Sequence, residues 1–154
     1  NAQFDPSMSW RDIEWLREQW DGPLILKGVQ SVADATIAAD AGVEGVSLSN
    51  HGGRQLDSAP VPLELLPEVV DAVGDRIEVY IDGGLRRGAD LAKALALGAR
   101  GGLIGRAYLY GLGAGGERGV TQVLDTFAED LRRTMALLGV TSVGELTRDH
   151  VTWR

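Results

Sequence analysis

The segment Ser49-Asn50-His51-Gly52-Gly53-Arg54 joins one of only two histidines in the chain to an arginine three residues on, with two glycines between them. Imidazole is the side chain that exchanges a proton near neutral pH, and guanidinium is a planar fork that matches a carboxylate. Gly52 and Gly53 leave the backbone open to a close-lying ligand. The combination reads as a proton acceptor beside a carboxylate clamp. Taken singly, His51 equally fits a loop histidine satisfied by backbone, and Arg54 a surface ion pair. Lys27 ends an apolar run; it is either a solvated or paired lysine or a fixed cation beside a group that gains negative charge. Two further turns, Asp82-Gly83-Gly84-Leu85-Arg86 and Ile104-Gly105-Arg106, follow apolar runs and lead towards helical ones. Their N–H groups can face an anion, with Arg86 and Arg106 adding charge. One such turn is a weak signal, but two in adjacent units favour a phosphate site. Asp82, acidic beside that anion, fits an acceptor for a hydroxylated linker. His150 reads as a surface residue.

These groups need a frame, and the hydrophobic periods supply one. Residues 7–20 have a helical spacing of Trp10, Ile13, Trp15, Leu16 and Trp20, with Ser9 as N-cap and Asp12 in the capping-box position. The tryptophans are expected to pack this helix. Residues 24–29 form a strand, 31–42 a helix capped by Ser31 and closed at Gly42, 42–50 a strand, and 61–74 a helix. A strand at 77–84, a helix at 88–99 with Leu91, Leu95 and Leu97 in the core, and a strand at 101–106 follow. Glycine-rich residues 111–119 read as a mobile loop, and 120–139 as a last helix with an apolar stripe of Val120, Val123, Leu124, Phe127, Leu131, Met135 and Leu138.

The strands are continuous apolar runs rather than alternating ones, as in a parallel sheet covered by helices. Four successive βα units suit either an open doubly wound sheet or half of an eight-stranded barrel. Lys27, Ser49 with His51, Asp82 with Gly83, and Gly105 with Arg106 each stand at the C-terminal end of a different strand, where barrels build their active sites. The expected fold is therefore α/β, the C-terminal half of a (β/α)8 TIM barrel over residues 1–154. A half barrel has two bare sheet edges. The other half is expected outside this sequence, in a companion chain.

Composition narrows the function. The chain has 154 residues, no cysteine, two histidines, 21 glycines and a formal net charge of -7, which suits one soluble domain. A structural zinc site or a disulfide framework is excluded, and no metal is expected. The acidic balance argues against nucleic acid as a partner. The sequence has no apolar run of membrane-span length and no secretory leader, so a cytoplasmic location is expected, with peripheral contact at the inner membrane also compatible. The start, without an initiator methionine and with a helix cap almost at once, reads as that of a fragment.

The strings "LILKG", "SNHGGRQLD", "DGGLRRGADLAKALALGA" and "GRAYLYGL" resemble, in order and spacing, the C-terminal half of the FMN-dependent α-hydroxy-acid oxidizing enzymes, the family of glycolate oxidase, L-lactate dehydrogenase and mandelate dehydrogenase. The likeness runs from "FDPSMSW" to "TMALLG", and "SNHGGRQLD" is its most specific part. It implies a (β/α)8 barrel with FMN at the C-terminal mouth and oxidation of an L-2-hydroxy acid, L-lactate first, to the 2-oxo acid. Glycolate, mandelate or a larger peptide-derived hydroxy acid stand behind lactate. Carried over, the resemblance makes His51 the base and Arg54 the carboxylate clamp. Lys27 would lie by the N1/O2 edge of the flavin and stabilise the anionic reduced ring. Ser49 would contact the flavin and Asp82 the ribityl chain. Gly83, Gly84, Arg86, Gly105 and Arg106 would hold the phosphate end.

Ala107 stands where many members have proline, although Arg106 is kept. The family's substrate-binding tyrosines, a second carboxylate-binding arginine and the aspartate that orients the histidine lie in the N-terminal half. The implied partner is that half of the same enzyme, with the chain beginning just beyond a long, protease-sensitive fourth βα loop and the two halves remaining associated. A homo-oligomer is expected. Two other readings compete: a phosphate-binding barrel lyase or isomerase with Lys27 as Schiff-base or acid/base residue, and a noncatalytic half barrel that binds phosphate ligands.

Overall fold

The protein is described by a computed structural model over residues 7–152, so the opening "FDP" of the family-like N-terminal string lies outside the described residues. Four parallel strands, β1 (Ile25–Val29), β2 (Gly45–Ser49), β3 (Glu78–Asp82) and β4 (Gly101–Leu103), pair in chain order β1-β2-β3-β4. Helix α1 (Trp10–Gln19) precedes them, α2 (Val32–Asp40), α3 (Pro62–Val73) and α4 (Gly88–Ala96) connect them, and α5 (Arg106–Leu138) follows. Strands added always on the same side through right-handed crossovers put every connecting helix on one face. A doubly wound sheet needs a reversal of strand order. The described sheet has none, so it is an arc of a barrel.

Local chemistry sets the element ends. The Asp12 carboxylate accepts the Ser9 N–H at 2.6 Å at the start of α1, and Ser31 Oγ accepts the Asp34 N–H at 3.0 Å at the start of α2. Alternate strand residues then sort by face. Val46, Leu48, Val79 and Ile81 are buried in the layer between sheet and helices, with Ala35, Ala38, Leu66, Val69, Val73 and Ala94. Each buried branched aliphatic contributes roughly 1.5–3 kcal/mol. Residues of the opposite parity in β1 and β3, Ile25, Lys27, Glu78, Tyr80 and Asp82, turn to the inner face and keep much of their exposure, whereas Ser47 and Ser49 of the central β2 are buried there as well.

Several sequence expectations need correction. Strand β4 stops at Leu103, and Arg106 already opens α5. The glycine-rich stretch 111–119 is no loose loop: it is helical within α5 except for a break at Gly115 and Gly116, the latter at φ +58°. A Cβ on Gly119 would lie 1.9 Å from the carbonyl oxygen of Gly111. The two backbones on either side of the break are in contact, so these glycines serve close packing and not mobility. Because a backbone carbonyl cannot swing aside as a side chain can, Gly119→Ala should destabilise the protein by about 3 kcal/mol, the upper range for overpacking. An unchanged melting temperature would contradict the contact.

Trp10 packs against the core with Ile13 and Leu16, a strict three-residue stripe, whereas Trp15 falls off that stripe and is 57% exposed. Trp20 lies past the helix end, also exposed, and its Nε1 donates to the Pro23 carbonyl at 3.2 Å. On α5, Met135 is buried and Phe127 and Leu131 are partly buried, but Leu124 and Leu138 are exposed. Leu97 is buried and Leu91 and Leu95 partly so. His150 is half-buried, with Nδ1 accepting the Thr147 N–H at 3.0 Å.

Candidate active site

The C-terminal ends of the first three strands meet in one polar cluster on the inner face. Lys27, the third residue of β1, projects its Nζ to 2.7 Å from Asp82 Oδ2 at the end of β3 and 3.3 Å from Ser49 Oγ at the end of β2. Ser49 Oγ donates to the same Asp82 oxygen at 2.6 Å and accepts the backbone N–H of His51 at 3.1 Å. The Ser49 hydroxyl is fully buried and thus uses its donor and both acceptor sites. Three strand ends and the histidine loop are tied through that one oxygen.

Burial pushes the Asp82 carboxyl up, but hydrogen bonds from Lys27 and Ser49, together with the charges of Lys27 and His51, outweigh it and hold Asp82 below the usual aspartate range. With its folded value lowered, the group's contribution to stability is complete at neutral pH. It is lost as pH falls below the ordinary aspartate range through the folded value. Asp82 is therefore ionised under working conditions. Both of its contacts fall on Oδ2, which leaves Oδ1 as an acceptor.

The loop after β2 is a single 3₁₀ turn, His51–Gly53. His51 has a φ of +53°, uncommon for a residue with a side chain, and three contacts impose it. They are the Ser49 hydroxyl on its N–H, the Asn50 Oδ1 accepting from Gly52 N–H at 3.0 Å, and the Gly53 N–H on the Asn50 carbonyl at 2.9 Å. Asn50 Nδ2 also donates to the Pro60 carbonyl at 3.3 Å, which closes the loop. No role is expected of Asn50 from residue type alone, yet its place between a strand end and two glycines is a turn signal. His51 and Arg54 are both exposed at the mouth, and Arg54 has no ion pair or hydrogen bond among the described residues. Among the described residues its fork is free, and the surface ion pair considered for it is not formed with any of them.

The two glycine-rich turns differ. After β3, Gly83 and Gly84 take φ of +106° and +78°, and Arg86 is exposed. The start of α4, however, is already filled by protein carboxylates: Asp90 Oδ2 accepts the N–H groups of Arg86 and Arg87, both at 3.1 Å, and Asp130 accepts that of Ala89 at 2.9 Å. The expectation that both turns offer helix-start amides to an anion is thus corrected. After β4, Gly105 is the N-cap of α5 with no side chain, and the N–H groups of Arg106 and Ala107 have no acceptor among the described residues. A Cβ at Gly105 would meet nothing within 4 Å, so space lies open there. Arg106 is exposed, and its Nη2 donates to the Gly52 carbonyl at 3.3 Å, which joins this anion-type site to the histidine loop.

A family model described as FMN-dependent dehydrogenase matches residues 1–153. The chain is 54% identical over 145 residues to an L-lactate dehydrogenase of Caulobacter vibrioides, covering 94% of this chain and 38% of that protein. It is 51% identical to a peroxisomal (S)-2-hydroxyacid oxidase of Arabidopsis thaliana, covering 96% of this chain and 41% of that protein. Among solved structures, the monotopic membrane protein (S)-mandelate dehydrogenase superposes with a TM-score of 0.94 at 46% identity, over 98% of this chain and 40% of the other. The chain therefore spans about two fifths of the length of the relatives it matches. Among its described residues no helix is long and apolar enough to cross a membrane.

Proposed function

Because this chain belongs to the FMN-dependent dehydrogenase family, we propose that residues 1–154 are the C-terminal half barrel of an enzyme that oxidises an L-2-hydroxy acid, L-lactate first, to its 2-oxo acid. The observation that carries the reading is the seating of His51 and the unpaired Arg54 on a strained, triply held loop. That loop is bonded directly to the Lys27–Ser49–Asp82 cluster.

The residues fit FMN. A half-exposed cation, Lys27, faces the mouth; Asp82 keeps one oxygen free for a hydroxylated chain; and an uncapped helix start with Arg106 beside open space at Gly105 suits a phosphate. Gly83, Gly84 and the exposed Arg86 complete this set. The flavin contact expected of Ser49 is corrected: its buried hydroxyl is spent on Lys27, His51 and Asp82, so it holds the cluster together from behind. When bound, FMN would accept the two electrons that leave the substrate, together with the one of its two departing protons that His51 does not take. The chain's own residues do the rest. Arg54 receives the carboxylate on its two parallel N–H groups and so fixes the hydroxyl-bearing carbon relative to His51. His51 takes a proton from the hydroxy acid. Lys27, held by Asp82 and Ser49, keeps a positive charge where negative charge develops. The remaining pocket walls belong to the N-terminal half of the same enzyme.

A Schiff-base role for Lys27 is less well supported, since it needs a neutral amine and Lys27 stands 2.7 Å from an ionised carboxylate. The substrate is tested in the complete, FMN-loaded enzyme by comparing kcat/KM for L-lactate, glycolate and (S)-mandelate. L-lactate should be highest, by about tenfold or more, as a methyl-sized difference in a fitted pocket allows. A higher value for either competitor would reassign the substrate and leave the reaction class standing.

A further inference from the structure

We propose that Gly28 is a positioning residue for His51: a seat in the neighbouring strand that the imidazole occupies only because residue 28 has no side chain. The inference rests on the reading of His51 as the base and adds a residue to it.

The β1–β2 ladder slips at this point. Lys27 pairs with Ser47 and Val29 with Leu48, so Gly28 is an extra residue, a bulge, with φ of +99°. Bulges turn a backbone surface towards a new neighbour, and here the neighbour is His51. A Cβ built on Gly28 would lie 2.9 Å from His51 Nε2 and 3.3 Å from Cε1, with no other atom within 4 Å. The conflict would thus involve the imidazole alone. Ordinary contact for a Cβ begins at 3.4 Å, so Nε2 would have to retreat by about half an ångström.

Which side yields is decided by what is fixed. The His51 backbone is held by Ser49 Oγ on its N–H and by the two Asn50 contacts of the turn. Gly28 is held in the ladder between Lys27 and Val29. Only the ring is free to rotate about its side-chain bonds. Ser49 therefore fixes where the His51 side chain starts, and Gly28 fixes where it points. A methyl group at residue 28 would leave the barrel arc intact and swing the proton acceptor away from the position that Arg54 and Lys27 define.

The test uses the complete, FMN-loaded enzyme with Gly28→Ala, His51→Ala, the double variant, and Gly42→Ala. Gly42 has φ of +77° and open space where a Cβ would stand, so its alanine variant reports the backbone cost of a positive φ without the contact. Three quantities are read: the rate of flavin reduction at saturating substrate, the FMN dissociation constant from flavin fluorescence, and the melting temperature. Gly28→Ala should slow reduction about tenfold, since a misplacement near 1 Å costs up to ~10²-fold. FMN affinity should stay within about twofold, and the melting temperature should fall further than in Gly42→Ala. On the His51→Ala background the same change should alter the rate by less than about twofold, because the group it acts through is gone. The extra loss in melting temperature should vanish there too. Equal rate penalties on both backgrounds, no slowing by Gly28→Ala alone, or failure to fold with either residue at position 51 would overturn the proposal. An undiminished rate in His51→Ala would instead remove the base assignment, and the seat with it.

Discussion

Replacing His51 by glutamine in the complete enzyme should slow flavin reduction at saturating substrate by ~10²- to 10⁴-fold, the range for a lost general base. Glutamine keeps bulk and a polar end but cannot carry the proton away. The backbone that holds the turn is untouched, since Ser49 and Asn50 bind main-chain groups of residues 51, 52 and 53. FMN should stay bound, because Lys27, Gly105 and Arg106 are unchanged. Reoxidation of chemically reduced flavin should change far less than its reduction. Stopped-flow bleaching of both enzymes separates the two half-reactions, and a reduction rate within a few-fold of wild type would take His51 out of the chemistry.

Arg54→Lys is the second large effect. The guanidinium is exposed and unpaired among the described residues, so its replacement disturbs no internal contact and acts on the ligand alone. Lysine keeps the charge but loses the planar fork. A charge-assisted bond of ~1.5–3 kcal/mol corresponds to a fall in kcat/KM of roughly 10- to 100-fold, with FMN affinity held within about twofold. Steady-state kinetics beside fluorescence titration of FMN check this directly. Near-normal kinetics in the variant would exclude Arg54 as the clamp, and a matching loss of FMN would move it into the cofactor site.

Much of this arrangement was legible in the chain. The continuous apolar strands, the Ser9 and Ser31 caps and the repeated βα order led to a parallel arc, because each of those signals is local and reads out one backbone preference. Lys27, Ser49, His51, Asp82 and Arg106 could be grouped by residue type and by their places after apolar runs. What the sequence hid were choices made between distant segments. Asp90 and Asp130 fill the start of α4, although the position of Asp90 three residues after Arg87 was a capping signal that could have been used. The glycines of 111–119 looked like mobility, and only the approach of residues 111 and 119 shows that they permit packing. Trp15 shares a helical period with Trp10 yet misses the narrower stripe that reaches the core. The pairing of Asp82 with Lys27, 55 residues apart, and the facing of Gly28 and His51 have no local trace at all.

The central claim is that this half barrel, joined to its N-terminal half, takes two electrons from an L-2-hydroxy acid into FMN. Anaerobic titration of the complete yellow enzyme with L-lactate and the other L-2-hydroxy acids, following flavin absorbance and assaying the 2-oxo acid formed, tests it most directly. At least one of these acids should bleach the flavin with one 2-oxo acid released per FMN, and His51→Gln should bind the same FMN but bleach ~10²- to 10⁴-fold more slowly. A complete enzyme that holds no FMN, or one whose flavin no L-2-hydroxy acid bleaches, would contradict it.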